Sequence, residues 1–135
     1  VTAPAGSAWI SPASGNASYA YSITFNVIGD PVGASISGLW AADNEGSIWL
    51  NGSYTGQFID AANSYDLTPF NTLHSFQINS GFVTGENILE FRVTNFGVAT
   101  GVLVAGLQPV PIPGAVWLLG SGLFGLVAIR RRFRK

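Results

Sequence analysis

The chain has 135 residues, 47% of them hydrophobic and only 10% charged, with no cysteine and no methionine. It therefore holds one ordinary domain plus a short appendage and excludes two full domains, disulfides, thiolate nucleophiles and cysteine-based metal sites. The net charge of −1 divides sharply: seven acids and the single base Arg92 up to Pro109 give −6, whereas five bases and no acid from Val110 onward give +5, and so acidic a body excludes nucleic acid as its partner.

Val1, Thr2, Ala3, Pro4 and Ala5 resemble a mature beginning left by processing, so a removed secretory leader is expected ahead of them. Asn16 to Ser18 and Asn51 to Ser53 match the Asn-x-Ser glycosylation pattern, which marks surface acceptors in an exported chain and also arises by chance in a sequence rich in Asn and Ser.

The first predicted strand is Ser18 to Ile28, where Tyr19, Tyr21, Ile23, Phe25 and Val27 alternate with Ala20, Ser22, Thr24 and Asn26. A period of two is the mark of a half-buried strand. Further strands are predicted at Ala34 to Trp40, Ser47 to Leu50, Gly56 to Ile59, Leu73 to Ile78, Asn87 to Thr94 and Gly101 to Leu107. Turn formers separate them: Gly29 to Pro31, Asp43 to Gly46, Asn51-Gly52, Asn79 to Gly81 and Asn95 to Gly97. No body segment has a helical period. Seven short, punctuated strands predict an all-β fold, an antiparallel β-sandwich or jelly roll over residues 1–109. Within Asn87 to Thr94, Leu89, Phe91 and Val93 should face the core. Ile88, Glu90, Arg92 and Thr94 should face out, with Glu90 and Arg92 reaching charges on neighbouring strands.

Candidate sites in the body are few. His74 is the single histidine, expected on the polar side of its strand. There is no Gly-x-Ser-x-Gly elbow, so no catalytic residue is assigned and the protein is read as non-enzymatic. The acidic group Asp43-Asn44-Glu45-Gly46, joined by Asp30, Asp60 and Asp66 from other turns, offers oxygens suited to calcium, but its spacing lacks the pattern of a calcium loop. Solvated turn residues are the simpler reading, and no cofactor is assigned. Trp9, Trp40, Trp49, Tyr54 and Tyr65 are the candidates for gripping a sugar ring. Trp49 and Tyr54 are favoured if Trp49, lying between Ile48 and Leu50, points outward; core packing is the alternative.

The last predicted element is a C-terminal hydrophobic helix. Val110 to Ile129 runs for 20 residues without a charge, and a helix of that length covers ~30 Å, the thickness of a bilayer's hydrocarbon core. Pro111 and Pro113 delay the helix to near Gly114. Trp117 falls at the entry interface, and Arg130, Arg131, Arg132, Arg134 and Lys135 form a basic stop that places the body outside and the tail in the cytoplasm. Gly120, Ser121, Gly122 and Gly125 give a small-residue face for close helix approach.

The order Val110-Pro111-Ile112-Pro113, then Ala115-Val-Trp-Leu-Leu-Gly-Ser-Gly-Leu123, then terminal arginines resembles the PEP-CTERM sorting tail of Gram-negative exported proteins, over residues 110–135. One departure is Ile112, where the name-giving motif has Glu. The resemblance implies passage through the inner membrane, recognition by an exosortase, cleavage near Val110 to Pro113, and delivery to the cell envelope or the extracellular matrix. The body, through Trp40 to Asn44, Ile48 to Gly52, Phe76 to Ile78, Gly85 to Asn95 and Thr100 to Val104, is similar to the β-sandwich ectodomains found upstream of such tails. Related sandwiches of the galactose-binding type carry sugar or calcium sites.

The leading expectation is therefore a secreted, non-enzymatic envelope or matrix protein, structural or adhesive. Its strand edges carry few lysines to block them and its two parts are oppositely charged, so self-association into filaments is expected. The alternative is a carbohydrate-binding module for matrix polysaccharide.

Overall fold

A computed structural model describes residues 1–12, 17–62, 67–97 and 99–108. Asn16, Tyr65, Asp66, the sorting motif, the hydrophobic span and the basic stop lie outside the described residues. Among the described residues eight strands and one helical turn follow in order: β1 (Trp9–Ile10), β2 (Ser18–Val27), β3 (Ile36–Asp43), β4 (Glu45–Leu50), β5 (Ser53–Ile59), α1 (Thr68–Asn71), β6 (His74–Ile78), β7 (Gly85–Thr94) and β8 (Gly101–Ala105). They form two antiparallel sheets, β1-β8-β3-β6 and β2-β7-β4-β5. The all-β expectation is met, with seven of the eight strands placed close to their predicted positions.

The alternating strands behave as their period dictates. β2 pairs with β7 along its whole length, Ser18 opposite Thr94 through to Val27 opposite Gly85. In β7, Leu89, Phe91 and Val93 are buried while Ile88 is exposed. The core lies between the sheets, with Trp40, Phe76 and Val102 from one meeting Ile48, Leu89, Phe91 and Val93 from the other. Phe91 is its hinge point, 5.7 Å between ring centroids from both Trp40 and Phe76.

Three features depart from the expectation. β1 is only two residues long, too short to show a period. The turn α1 starts on Thr68-Pro69, where proline's fixed φ suits the first turn of a helix. The third departure is the group 43–46, which is not a solvated loop. Asp43 ends β3 opposite Gly101, and Glu45 begins β4 opposite Thr94, so the chain crosses from one sheet to the other there. Asn44 is buried at the crossing, its backbone N–H donating to the Thr94 carbonyl and its Oδ1 accepting from the Phe96 N–H at 2.8 Å. The turn-forming residues are used to satisfy the backbone at this step between layers.

The outer faces of the two sheets are unequal. Pro69 of α1 is buried, α1 packs on β3, and Ala41, outward by its position in β3, is fully covered. The Val1 ammonium donates to the Phe70 carbonyl and the Trp9 indole N–H to the Val1 carbonyl, which ties the N-terminal segment to that turn. The outer face of β2-β7-β4-β5 carries the exposed Tyr54 and Phe58, and the candidate site lies there.

Candidate functional site

The hairpin β4–β5 builds the site. Its two-residue turn, Asn51-Gly52, has positive φ at both positions (51° and 78°), the conformation that Asn-Gly supplies at least cost and that matches the twist of the flanking strands. The turn fixes Leu50 opposite Ser53 and Trp49 opposite Tyr54. A strict ladder would then put Phe58 opposite Glu45. Instead Phe58 lies opposite Ser47, because Thr55, Gly56 and Gln57 together oppose the single residue Ile48 in a bulge, with Gly56 at φ 83°. The bulge is closed by side chains: Thr55 Oγ1 donates to the Ile48 carbonyl at 2.7 Å and accepts from the Gln57 N–H at 3.4 Å.

The bulge has a direct consequence for the surface. Tyr54 and Phe58 are four residues apart in sequence, but their partners Trp49 and Ser47 are two apart. At ~3.4 Å per strand residue the two rings project about 7 Å from one another along the sheet. Tyr54 is 51% exposed and Phe58 53%.

Trp49 points outward, between the buried Ile48 and Leu50, as its candidacy required. It is half-buried because its neighbours hold it. The Arg92 guanidinium lies over the indole, 4.0 Å from the ring centroid, and is itself held by Glu90 at 2.9 Å. The Trp49 N–H donates to Ser47 Oγ at 3.0 Å, and the Tyr54 ring lies 5.6 Å away at 49°. Glu90 and Arg92 thus pair with each other rather than with charges on neighbouring strands. The surface ion pair contributes at most about 1 kcal/mol; its effect is to orient the indole. With one face of Trp49 taken by Arg92, Tyr54 and Phe58 present the open ring surface and Trp49 buttresses Tyr54.

The remaining candidates are dispersed or committed elsewhere. Trp40 is a core residue and Trp9 is tied to Val1. His74 shares the inward side of β6 with Phe76 and Ile78 rather than the polar side, and its Nε2 is buried without a hydrogen-bond partner among the described residues. Asp30 closes a local turn by accepting from the Val32 N–H at 2.9 Å. Glu45 and Asp60 do come together: burial, the neighbouring Asp60 charge and a hydrogen bond between the two side chains push the Glu45 carboxyl up, and burial pushes Asp43 up. Among the described residues no group of three or more acidic or histidine side chains is placed to hold a metal ion. The sequon residue Asn51 has its side-chain amide engaged, donating to both the Gly81 carbonyl and Asn87 Oδ1.

Below Tyr54 a cleft of about 370 Å³ opens between the start of β5 and the β6–β7 connection, lined by Leu50, Ser53, Tyr54, Thr55, Gln77, Ile78, Asn79, Ser80 and Gly81. Neither this cleft nor Phe58 stands out in the sequence. Phe58 depends on the bulge, for which Gly56 between Tyr54 and Phe58 is the visible trace, and the cleft joins segments about 25 residues apart. Among the described residues no helix is long and apolar enough to cross a membrane. Set against known proteins, the chain matches no family model, no curated protein and no solved structure, so its site is interpreted from its own geometry.

Proposed function

We propose that the body is a non-catalytic adhesive β-sandwich that binds polysaccharide through the outer face of β2-β7-β4-β5. The observation that carries this reading is the placement of Tyr54 and Phe58 about 7 Å apart along the sheet by the β5 bulge, both half-exposed, with Tyr54 backed by the clamped Trp49. Flat, fixed aromatic rings bury the apolar faces of sugar rings without losing side-chain freedom on binding. Their spacing suits neighbouring rings of one chain. On a glycan array the full chain, kept in detergent, should bind at least one polysaccharide. Tyr54→Ala and Phe58→Ala should each weaken that binding about tenfold, equivalent to ~1.4 kcal/mol, without lowering the melting temperature in proportion. Absence of all glycan binding, or binding unchanged by both substitutions, would overturn the reading.

A second reading, self-associating envelope or matrix protein, accompanies the first and draws on β2. This ten-residue strand, SYAYSITFNV, lies at the edge of its sheet and carries no charge, whereas exposed edges are ordinarily blunted by lysine, proline or brevity. Export through a PEP-CTERM-type tail supplies the route to the surface and is supported by the order of residues 110–135. Protein recovered from its producing cells should have lost its last 22 to 26 residues by intact mass. It should also sediment as oligomers that Ser22→Lys together with Thr24→Lys disperses. An intact tail argues against the sorting role, and a monomer against edge pairing.

A further inference from the structure

The cleft below Tyr54 carries a more specific conclusion about the ligand. Its mouth is shared with the aromatic surface through Tyr54 itself, so a chain stacked on that ring continues into it. Ser53, Gln77, Asn79 and Ser80 supply hydroxyl and amide groups around an apolar floor of Leu50 and Ile78, Thr55 holding its own hydroxyl in the bulge, and none of the lining residues is ionisable except the Tyr54 phenol. Such groups both donate and accept hydrogen bonds, as sugar hydroxyls do. A carboxylate or sulfate would find no cation there.

The walls are preformed. Asn87, fully buried, accepts from the Val83 N–H and the Asn51 amide through Oδ1, both at 2.9 Å, and donates to the Val83 and Gly85 carbonyls at 2.8 and 2.9 Å. Asn51 in turn donates to the Gly81 carbonyl at 2.9 Å and accepts from the Ile88 N–H. The hairpin turn and the β6–β7 connection are thereby fixed to each other on the two sides of the opening. Across the sheets, the Gln57 amide reaches the Gln77 carbonyl at 3.4 Å, so the outer wall is braced as well. A binding site whose polar groups are already ordered loses less entropy when it fills.

We propose that this cleft is a subsite for one uncharged sugar unit of a polysaccharide whose adjacent unit stacks on Tyr54, so that the protein selects neutral over acidic chains. This rests on the aromatic-surface reading and adds to it a second contact region and a charge preference. The test is titration calorimetry of the full chain in detergent with laminarihexaose, cellohexaose and xylohexaose as neutral probes and a hexagalacturonate as the acidic one, each beside its disaccharide. At least one neutral hexamer should bind at least tenfold tighter than its disaccharide and than the hexagalacturonate. Gln77→Ala combined with Ser80→Val should remove most of that hexamer advantage. Both side chains are exposed, and the Gln57 brace uses the backbone of residue 77, so the melting temperature should not change.

If Tyr54→Ala weakens hexamer binding while the cleft variant leaves it within twofold, the subsite is wrong and the aromatic surface stands. Equal binding of the hexagalacturonate overturns the neutral preference. If no neutral probe binds, the subsite falls, and the glycan-array result then decides whether the aromatic surface falls too.

Discussion

Gly46→Ala is expected to lower the stability of the domain by about 3 kcal/mol, the upper part of the range for overpacking a core. A methyl group placed on Gly46 would sit 2.6 Å from Trp40 Cζ3, 2.8 Å from Cη2 and 2.9 Å from the Ala42 Cβ. None of these atoms can retreat easily. The indole is 1% exposed and packs against Phe91, and Ala42 is fully buried. Gly46 itself pairs with Val93 on one side and Ile59 on the other, so the backbone is held from both edges. For a domain stable by about 5–15 kcal/mol the loss is a large fraction, seen as a melting temperature lower by roughly 12 °C or more. Urea titration measures it directly. Shortening the partner should rescue it: Trp40→Phe costs stability alone, but in the Gly46→Ala background it should cost much less, a coupling that a double-mutant cycle reads. A change below about 0.5 kcal/mol for Gly46→Ala would place the indole elsewhere.

The sheets were legible because their strands alternate. Leu89, Phe91 and Val93 can be assigned to the core from period alone, and the structure buries all three. Trp49 opposite Tyr54 follows from the Asn51-Gly52 turn, since a two-residue hairpin fixes the register of its first pairs. The register then slips at the bulge, and past that point local pattern misplaces every residue of β5, Phe58 included.

Composition misleads at Asp43 to Gly46 for a related reason. Turn formers also serve where a strand must leave one sheet for the other, and only the pairing of Asp43 with Gly101 and Glu45 with Thr94 distinguishes the two uses. The polarity of His74 points to the wrong side of its strand. Its position two residues before Phe76 puts it on the inward side regardless of its chemistry. The cleft was invisible because its walls, β5 and the β6–β7 connection, meet only in three dimensions.

Asn87→Ala should be as damaging as Gly46→Ala and should act on function as well. The side chain is wholly buried and makes four hydrogen bonds, two as acceptor and two as donor. Its removal leaves the Val83 N–H and carbonyl, the Gly85 carbonyl and one Asn51 hydrogen without these partners. A fully buried group so orphaned would cost about 1–3 kcal/mol, and these part-buried ones cost less each. Water entering the vacated space offsets part of the sum, so a net loss of about 3 kcal/mol is expected. The damage should be directional: amide hydrogen exchange should accelerate first at Val83 and Ile88, whose N–H groups bond to Asn87 and Asn51, and only later in the β2–β7 ladder. Since the freed connection carries residues 79–81, which line the cleft, hexamer affinity should fall toward that of the disaccharide while stacking on Tyr54 survives. Asn87→Asp separates charge from hydrogen bonding at the same position. It keeps the acceptor, loses both donors and introduces a carboxyl with no cation beside it, so its folded-state pKa is raised, and the variant should be least stable at neutral pH and recover as the pH falls and the carboxyl protonates. Near-native stability and exchange in Asn87→Ala would mean that the cleft walls hold their positions without the buried amide.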